Sequence, residues 1–339
     1  MNDNKTSKNS IVAKFAVPIS FLILFFLAAN FTDCDLVTFW KRRNHLTDLV
    51  VDMIPPDFSY IQKILLPLFY TIQMSVTGTV LGTFFALVLS PFGAANLGFP
   101  AVIRRILRIV IQILRSFPAL ILALTATFLF GLGTFAGTFA ITLYTFAIMT
   151  KLTYEDASAA DVKAYQALRA MGVSKYVAYI HGILPEIIPG FLTNALYLLE
   201  TNVRHSSILG YVGAGGIGLL LNEKISWLEY DKVGTILLML FLTVCVIEYF
   251  SRYLAALIRK ERTIKKEQAR LLLLFLAALF LICTFTLSLP DFSRTSPQTL
   301  RNMFAGFLQP DWSFFFSAEK DGLGYLLLET VCIAFIGTV

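Results

Sequence analysis

Glu200, Asn202 and Arg204 fall at alternate positions in the run Glu200-Thr201-Asn202-Val203-Arg204, inside an otherwise apolar stretch. An acid and a base four residues apart share one face of a helix, so Glu200 and Arg204 can neutralise each other. Ionisable groups in an apolar medium are costly; they pair, or they line a polar pathway. On the first reading the pair only holds helices together. On the second, Arg204 sets an electropositive path for an anion and Asn202 offers it hydrogen bonds. Gly213, Gly215, Gly216 and Gly218 follow in Gly213-Ala214-Gly215-Gly216-Ile217-Gly218. The letters satisfy GxGxxG, but a dinucleotide fingerprint must follow a strand and open a helix. Here the neighbours are long apolar runs. Glycines at this density instead allow close helix approach or a broken helix beside a translocation path.

Other chemistry is missing from the sequence. It contains no GxxxxGK[ST] phosphate loop, HExxH or GxSxG motif, so no catalytic residue is assigned. Cys34, Cys245, Cys283 and Cys332 are scattered, and His45, His181 and His205 are far apart. This spacing points to neither a metal site nor a disulfide framework, and no cofactor is expected.

The elements that hold these residues are apolar. Of 339 residues, 57% are hydrophobic and 15% charged, against about 25% charged in soluble domains. The mean hydropathy is +0.71. The net charge of +6 is split among short loops without interleaved aromatics, which argues against nucleic acid as a partner. The fold class is therefore all-α, a polytopic helical membrane protein, since a span needs roughly 20 apolar residues. Apolar runs cover residues 11–30, 64–103, 116–150, 187–221, 233–257, 271–289 and 322–339. Pro91, Gly93 and Pro100 end the second run as a span, and Gly131-Leu132-Gly133 breaks the third into two helices. The first run follows Lys5, Lys8 and Lys14 and reads as an anchor rather than a cleaved signal.

Lys/Arg placement gives the orientation. With the N-terminus cytoplasmic, the inner segments 1–14, 91–115, 151–186 and 248–270 hold three, four, four and seven basic residues, 18 of the 28. Lys41-Arg42-Arg43 is the exception on the outer side. Three parts result: an anchor helix and outer loop (1–60), a transmembrane domain (61–258) containing the polar loop 151–185, and a cytoplasmic linker leading into a partial repeat (259–339). Residues 71–80 align without gaps on 330–339, and 56–60 on 310–314. This is a parallel repeat whose second copy breaks off, so the chain reads as a truncated product of a fused two-unit protein.

The polar loop reads as two short helices. The first covers residues 155–171, with Gly172 at C′ and Ser174 capping the second; Ile183, Leu184 and Pro185 begin the return to the membrane. Gln166-Ala167-Leu168, Gly172 and Leu184-Pro185 have the spacing of the EAA loop of ABC importer permeases. Gln and Leu stand where that pattern has Glu and Ala, and Gly182 where it favours Ile. The stretch 197–218 closely resembles phosphonate ABC transporter permeases, and its Gly-rich run is shared with methionine-type permeases. Arg115-Ser116-Phe117-Pro118-Ala119-Leu120 and residues 131–137 also look like that family.

The resemblance covers residues 60–257, one type I, methionine-permease-like unit, and 271–339 resembles the start of another. It implies a non-enzymatic subunit that moves phosphonates, or a related phosphorus oxyanion, across the plasma (inner) membrane. The implied partners are a cytoplasmic ATP-binding subunit, an extracytoplasmic phosphonate-binding protein and a second permease unit, besides the lipid bilayer. Gln166, Ala167, Gly172, Leu184 and Pro185 would couple to the ATPase. Glu200, Asn202, Arg204, Gly213, Gly215, Gly216 and Gly218 would form the path. The alternatives are an ion-coupled secondary transporter, which would show more intramembrane carboxylates, and an inactive truncated permease.

Overall fold

The computed structural model describes residues 18–32, 36–260, 266–288, 301–302, 305–306, 309, 312–315 and 322–338. Among them every regular element is helical. The chain forms two compact units: residues 52–300, and residues 1–51 together with 301–339.

In the smaller unit, α1 (Pro18–Phe31) is followed by α2 (Leu36–Lys41) and α3 (Arg43–Asp52). Phe21 of α1 meets Phe335 edge-on at 5.0 Å, and Phe31 lies 4.8 Å from Tyr325. Both partners belong to the unit's last helix, Leu323–Thr338. The basic start of the chain (1–17), residues 289–300 and the Pro310-Asp311 half of the repeat lie outside the described residues.

The larger unit is a bundle built around α4 (Ile61–Gly93). After it come α5 (Ala101–Ser116), α6 (Ala119–Phe130), α7 (Thr134–Ala159), α8 (Lys163–Ala170) and α9 (Lys175–Gly182). Then follow α10 (Leu184–Leu209), α11 (Ile217–Ser226), α12 (Tyr230–Ile258) and α13 (Lys266–Phe285). The segments Phe58–Gly93, Thr134–Ala159 and Tyr230–Ile258 are each long and apolar enough to cross a bilayer. Two bent pairs, α5 with α6 at 93° and α9 with α10 at 70°, bring the number to five if each is one broken span. Phe117 is extended before Pro118, since a residue preceding proline avoids the helical region, and this makes the first bend.

Helix α4 packs along α7 more extensively than along any other helix. Glycine permits the approach. A Cβ on Gly78 would stand 2.7 Å from Ile141 Cγ2, and one on Gly82 would stand 2.7 Å from the Thr142 carbonyl oxygen. Small residues at such crossings let helices associate where lipid is as apolar as the side chains. A second face of α4 is polar and fully enclosed: Thr71 and Ser75 are 0% exposed and Thr79 is 4% exposed. These residues recur every fourth position and so stand in line toward α10 and α11. On a third face, Gln73 donates to the Cys283 carbonyl (3.0 Å) and to Thr286 Oγ1 (2.8 Å), fixing the end of α13.

The expected division of the apolar runs agrees with these elements at the breaks 94–100, 131–133 and 213–216. One boundary differs. The first helix of the polar loop is not continuous over 155–171: α7 runs on to Ala159 and α8 starts only at Lys163. Ala160 is extended, and Asp161 Oδ1 accepts the Lys163 N–H at 2.9 Å, a local turn that competes with the helix. That hydrogen bond also holds the Asp161 carboxyl below its ordinary pKa.

Candidate functional site: a docking hairpin and a charged helix face

The helical hairpin α8–α9 caps one end of the larger unit. Its turn follows from local chemistry. Gly172 adopts φ +84°, its N–H bonds the Arg169 carbonyl (3.0 Å), and Val173 N–H bonds the Leu168 carbonyl (3.2 Å). Together these form a Schellman motif. Ser174 then caps α9 by accepting the Val177 N–H.

The hairpin is bolted to the spans from below. Buried Tyr165 donates from its hydroxyl to the Leu97 carbonyl at 2.6 Å, and buried Tyr179 meets Ser90 at 3.3 Å. Lys175 Nζ donates to the Gly98 carbonyl, and Asn96 Nδ2 donates to the Ala157 carbonyl at 3.0 Å. Ala178, Ile183 and Ile187 fill the core between hairpin and bundle. Above this base Gln166, Ala167 and Gly172 are exposed, and Met171 is 70% exposed. Leu184 is half-buried and Pro185 exposed at the first turn of α10, outside the hairpin tip. Met171 belongs to none of the motifs in the loop. Its signal was the position immediately before the C′ glycine, where a large apolar residue gains no shelter from the helix.

Helix α10 separates the residues that the sequence grouped. Asn202 is 0% exposed and faces inward, its Nδ2 donating to Thr79 Oγ1 and to Thr145 Oγ1 at 2.8 Å each. It therefore clamps α4, α7 and α10 together. One turn further, Ser206 Oγ meets Ser75 Oγ at 2.6 Å, and Thr71 Oγ1 accepts the Ile217 N–H at 2.8 Å. This column of hydroxyls was legible only as a four-residue spacing on α4.

Glu200 and Arg204 lie on the other face. Arg204 Nη2 donates to Glu200 Oε1, with the Arg204 side chain 47% exposed and that of Glu200 13%. Tyr197, Ile208 and Tyr211 are exposed along the same face, at heptad-like spacing with Arg204. The pair thus neutralises itself as its spacing predicts, on a face that the larger unit leaves uncovered.

The glycine segment positions the turn after α10. Gly213, Gly215 and Gly216 all have positive φ, and the Gly213 carbonyl accepts the Gly133 N–H at 3.0 Å, so the two glycine-rich breaks meet. A Cβ on Gly218 would fall 1.8 Å from the Ser207 carbonyl oxygen, so only glycine lets α11 fold back on the end of α10. Gly215 and Gly216 open onto a cleft of about 400 Å³ that also reaches Tyr70, Glu223 and Thr286. Gly213 and Gly218 do not line it. Beside it, Lys224 is 6% exposed and pairs with Glu229 (2.9 Å) and Glu223 (3.1 Å), with its Nζ 4.2 Å from the Trp227 ring centroid. The hydrogen bond to Glu229 is the main reason its pKa is raised.

Among the described residues no group of histidine, cysteine or carboxylate side chains is placed to hold a metal ion. His205 is half-buried beside Tyr144, with ring centroids 5.4 Å apart.

Comparison with known proteins places this architecture. Residues 78–264 match the model of the binding-protein-dependent transport system inner membrane component family. A phosphite transport system permease protein of Stutzerimonas stutzeri is 31% identical over 217 residues, 64% of this chain and 79% of that protein. A phosphate-import permease protein of Mycolicibacterium smegmatis is 31% identical over 203 residues, 60% of this chain and 38% of that protein. A putative cryptic phosphonate transport system permease protein of Escherichia coli is 30% identical over 115 residues, 34% of this chain and 94% of that protein. Among solved structures, the methionine ABC transporter MetNI in an inward-facing conformation superposes with a TM-score of 0.53 at 20% identity, over 60% of this chain and 99% of the other. The hairpin, the candidate spans and the glycine-broken turn thus lie in a fold seen in ABC importer permeases, and the chain belongs to the family of binding-protein-dependent transport system inner membrane components.

Proposed function

We propose that this chain is the membrane permease subunit of an ATP-driven importer for a small phosphorus oxyanion: phosphite, a phosphonate or phosphate. The observation that carries the proposal is the α8–α9 hairpin, held rigidly on the spans while Gln166, Ala167, Met171 and Gly172 stay exposed. Such a knob suits a groove on a cytoplasmic ATP-binding subunit, with Leu184 and Pro185 carrying its motion into α10. The hairpin end is then cytoplasmic, in keeping with the basic residues of segments 91–115 and 151–186 and with an N-terminus inside. The glycine end faces a substrate-binding protein outside.

The cargo assignment is supported by the phosphite, phosphate and phosphonate permeases among the relatives. The charged face of α10 would line the path with Arg204 and Glu200, closed by a second permease unit. Gly215 and Gly216 shape its glycine end, Gly213 and Gly218 hold the turn there, and Asn202 secures the wall from behind. The repeat beginning in α14 (Trp312–Phe315) and α15 (Leu323–Thr338) supports a second unit of the same kind.

The test is uptake in a bacterial strain stripped of its own phosphite and phosphonate transport, supplied with this chain, its ATPase and its binding protein. Labelled phosphite or methylphosphonate should accumulate in an ATP-dependent manner and persist when the ion gradient is collapsed. Uptake that follows the gradient instead would overturn the proposal.

A further inference from the structure

Helix α5 is the most amphipathic element of the larger unit, and neither the hairpin nor the path uses it. It turns 93° away from α6, which runs beside α7, so its roughly 24 Å of length lies across the hairpin end of the bundle. α5 packs on α4 and α7, and of its residues only Ile111 is fully buried. Val102, Ile106, Ile109 and Ile113 form one exposed stripe, between 52% and 68% exposed. Arg104, Arg105, Arg108 and Arg115 occupy a separate arc of about 100°.

None of the ion pairs among the described residues involves these four arginines. Segment 91–115 contains no acidic residue at all. Arg108 is partly committed: it donates from Nε and Nη2 to the Gly93 carbonyl (3.0 and 2.9 Å) and lies over the Tyr154 ring. Arg104 reaches the Ala95 carbonyl only at 3.5 Å. Together with Arg105 and Gln112 they line a groove of about 220 Å³ on the helix surface.

We propose that α5 is an interfacial helix whose arginine groove seats the phosphate headgroup of an anionic phospholipid, while the Val102–Ile113 stripe lies among its acyl chains. Charge complementarity selects the occupant. Three guanidinium groups without carboxylate partners adjoin an apolar stripe, and an anionic lipid alone supplies both a phosphate and a chain to cover that stripe. A soluble oxyanion would satisfy the arginines and leave the stripe bare. The headgroup would then brace α5, and through Arg108 and Gly93 the end of α4 beneath the hairpin.

Native mass spectrometry of the full-length chain in detergent tests this, with equimolar phosphatidylglycerol and phosphatidylcholine added. Phosphatidylglycerol should be retained preferentially. The Arg104→Gln/Arg105→Gln variant should lose that preference by roughly 25-fold, at about fivefold per arginine. Lys163→Gln removes a charge from α8, outside the groove, and should leave the preference unchanged, and millimolar inorganic phosphate should not displace the lipid. Circular dichroism and a monodisperse elution profile establish that the double variant is folded. Equal retention of the two lipids by the wild type, equal preference in the folded double variant, or displacement by inorganic phosphate would each overturn the proposal.

Discussion

Asn202 and Arg204 stand two positions apart on α10 and face opposite surroundings, so their substitutions should fail differently. Asn202 makes two hydrogen bonds across helix boundaries from full burial. Interhelical bonds in membranes contribute about 0.6 kcal/mol each, so Asn202→Ala should cost roughly 1 kcal/mol or slightly more. Thermal unfolding in detergent would register this as a lowered midpoint. Thr79 and Thr145 can return their hydroxyls to their own helices, which limits the loss. Arg204→Ala removes a half-exposed ion pair, whose contribution to stability is within about 1 kcal/mol. Its expression and unfolding midpoint should match the wild type, while uptake falls by about tenfold, equivalent to ~1.4 kcal/mol in the transport barrier. Undiminished uptake in Arg204→Ala would remove Arg204 from the path. The sequence could not separate these two residues. Alternation marked them as unusual, but which face of α10 turns inward depends on where α4 and α7 pack.

At the scale of elements, local turn chemistry was readable and packing was not. Gly172 and Ser174 announced the hairpin turn because a left-handed C′ and a hydroxyl N-cap need only their own neighbours. The Tyr165–Leu97 and Tyr179–Ser90 links join residues 68 and 89 positions apart and leave no local pattern. The break at 160–162 did leave one, in Asp161 two residues before Lys163, but the run of good helix formers around it hid the turn. No atom lies within 4 Å of a Cβ built on Gly172, so Gly172→Ala should cost only the left-handed backbone penalty of about 1–2 kcal/mol. In the assembled transporter this should lower substrate-stimulated ATP hydrolysis more than basal hydrolysis. Gly172→Asn, which tolerates that conformation, should lie between the two.

The turn after α11 makes a pH prediction. Lys224 has a raised pKa in the folded protein, so the stability it contributes is fully present below the unfolded lysine value and is lost only as pH rises through the raised one. Glu229 is lowered, chiefly by the Lys232 hydrogen bond, so its contribution is present above the ordinary carboxylate value and lost in acid. Lys224→Met should therefore lower the melting midpoint by a similar amount at pH 6 and pH 9. A deficit that vanished at pH 9 would show that the lysine ionises far lower than its partners require.

At the scale of the whole molecule, the family was legible because it rests on motifs, whereas the organising role of α4 was not, because a helix with no charge beyond Lys63 looks alike from every side. The structure gives its faces three tasks: small residues toward α7, hydroxyls toward α10 and α11, and Gln73 toward α13. The cleft beside Gly216 and the clamp at Asn202 therefore depend on how closely α4 approaches α7. Enlarging that crossing should disturb both. A valine at Gly82 would place Cβ 2.7 Å from the Thr142 carbonyl oxygen, 2.7 Å from Thr145 Cβ and 2.9 Å from Phe146 N. Two of these are backbone atoms of α7, which cannot rotate aside as a side chain can. Overpacking of this kind costs typically 1–3 kcal/mol, and here it would also pull Thr145 away from Asn202 Nδ2. Gly82→Val should lower the yield of monodisperse protein and the unfolding midpoint, with a loss no smaller than that of Asn202→Ala. Adding Asn202→Ala to it should cost less than the sum of the two, because the shared clamp is already broken. Gly190→Ala, on α10 with no atom within 4 Å of the added Cβ, should be neutral in the same assay. Strictly additive losses for Gly82 and Asn202 would mean that the crossing and the clamp are independent, and that α4 does not organise the path.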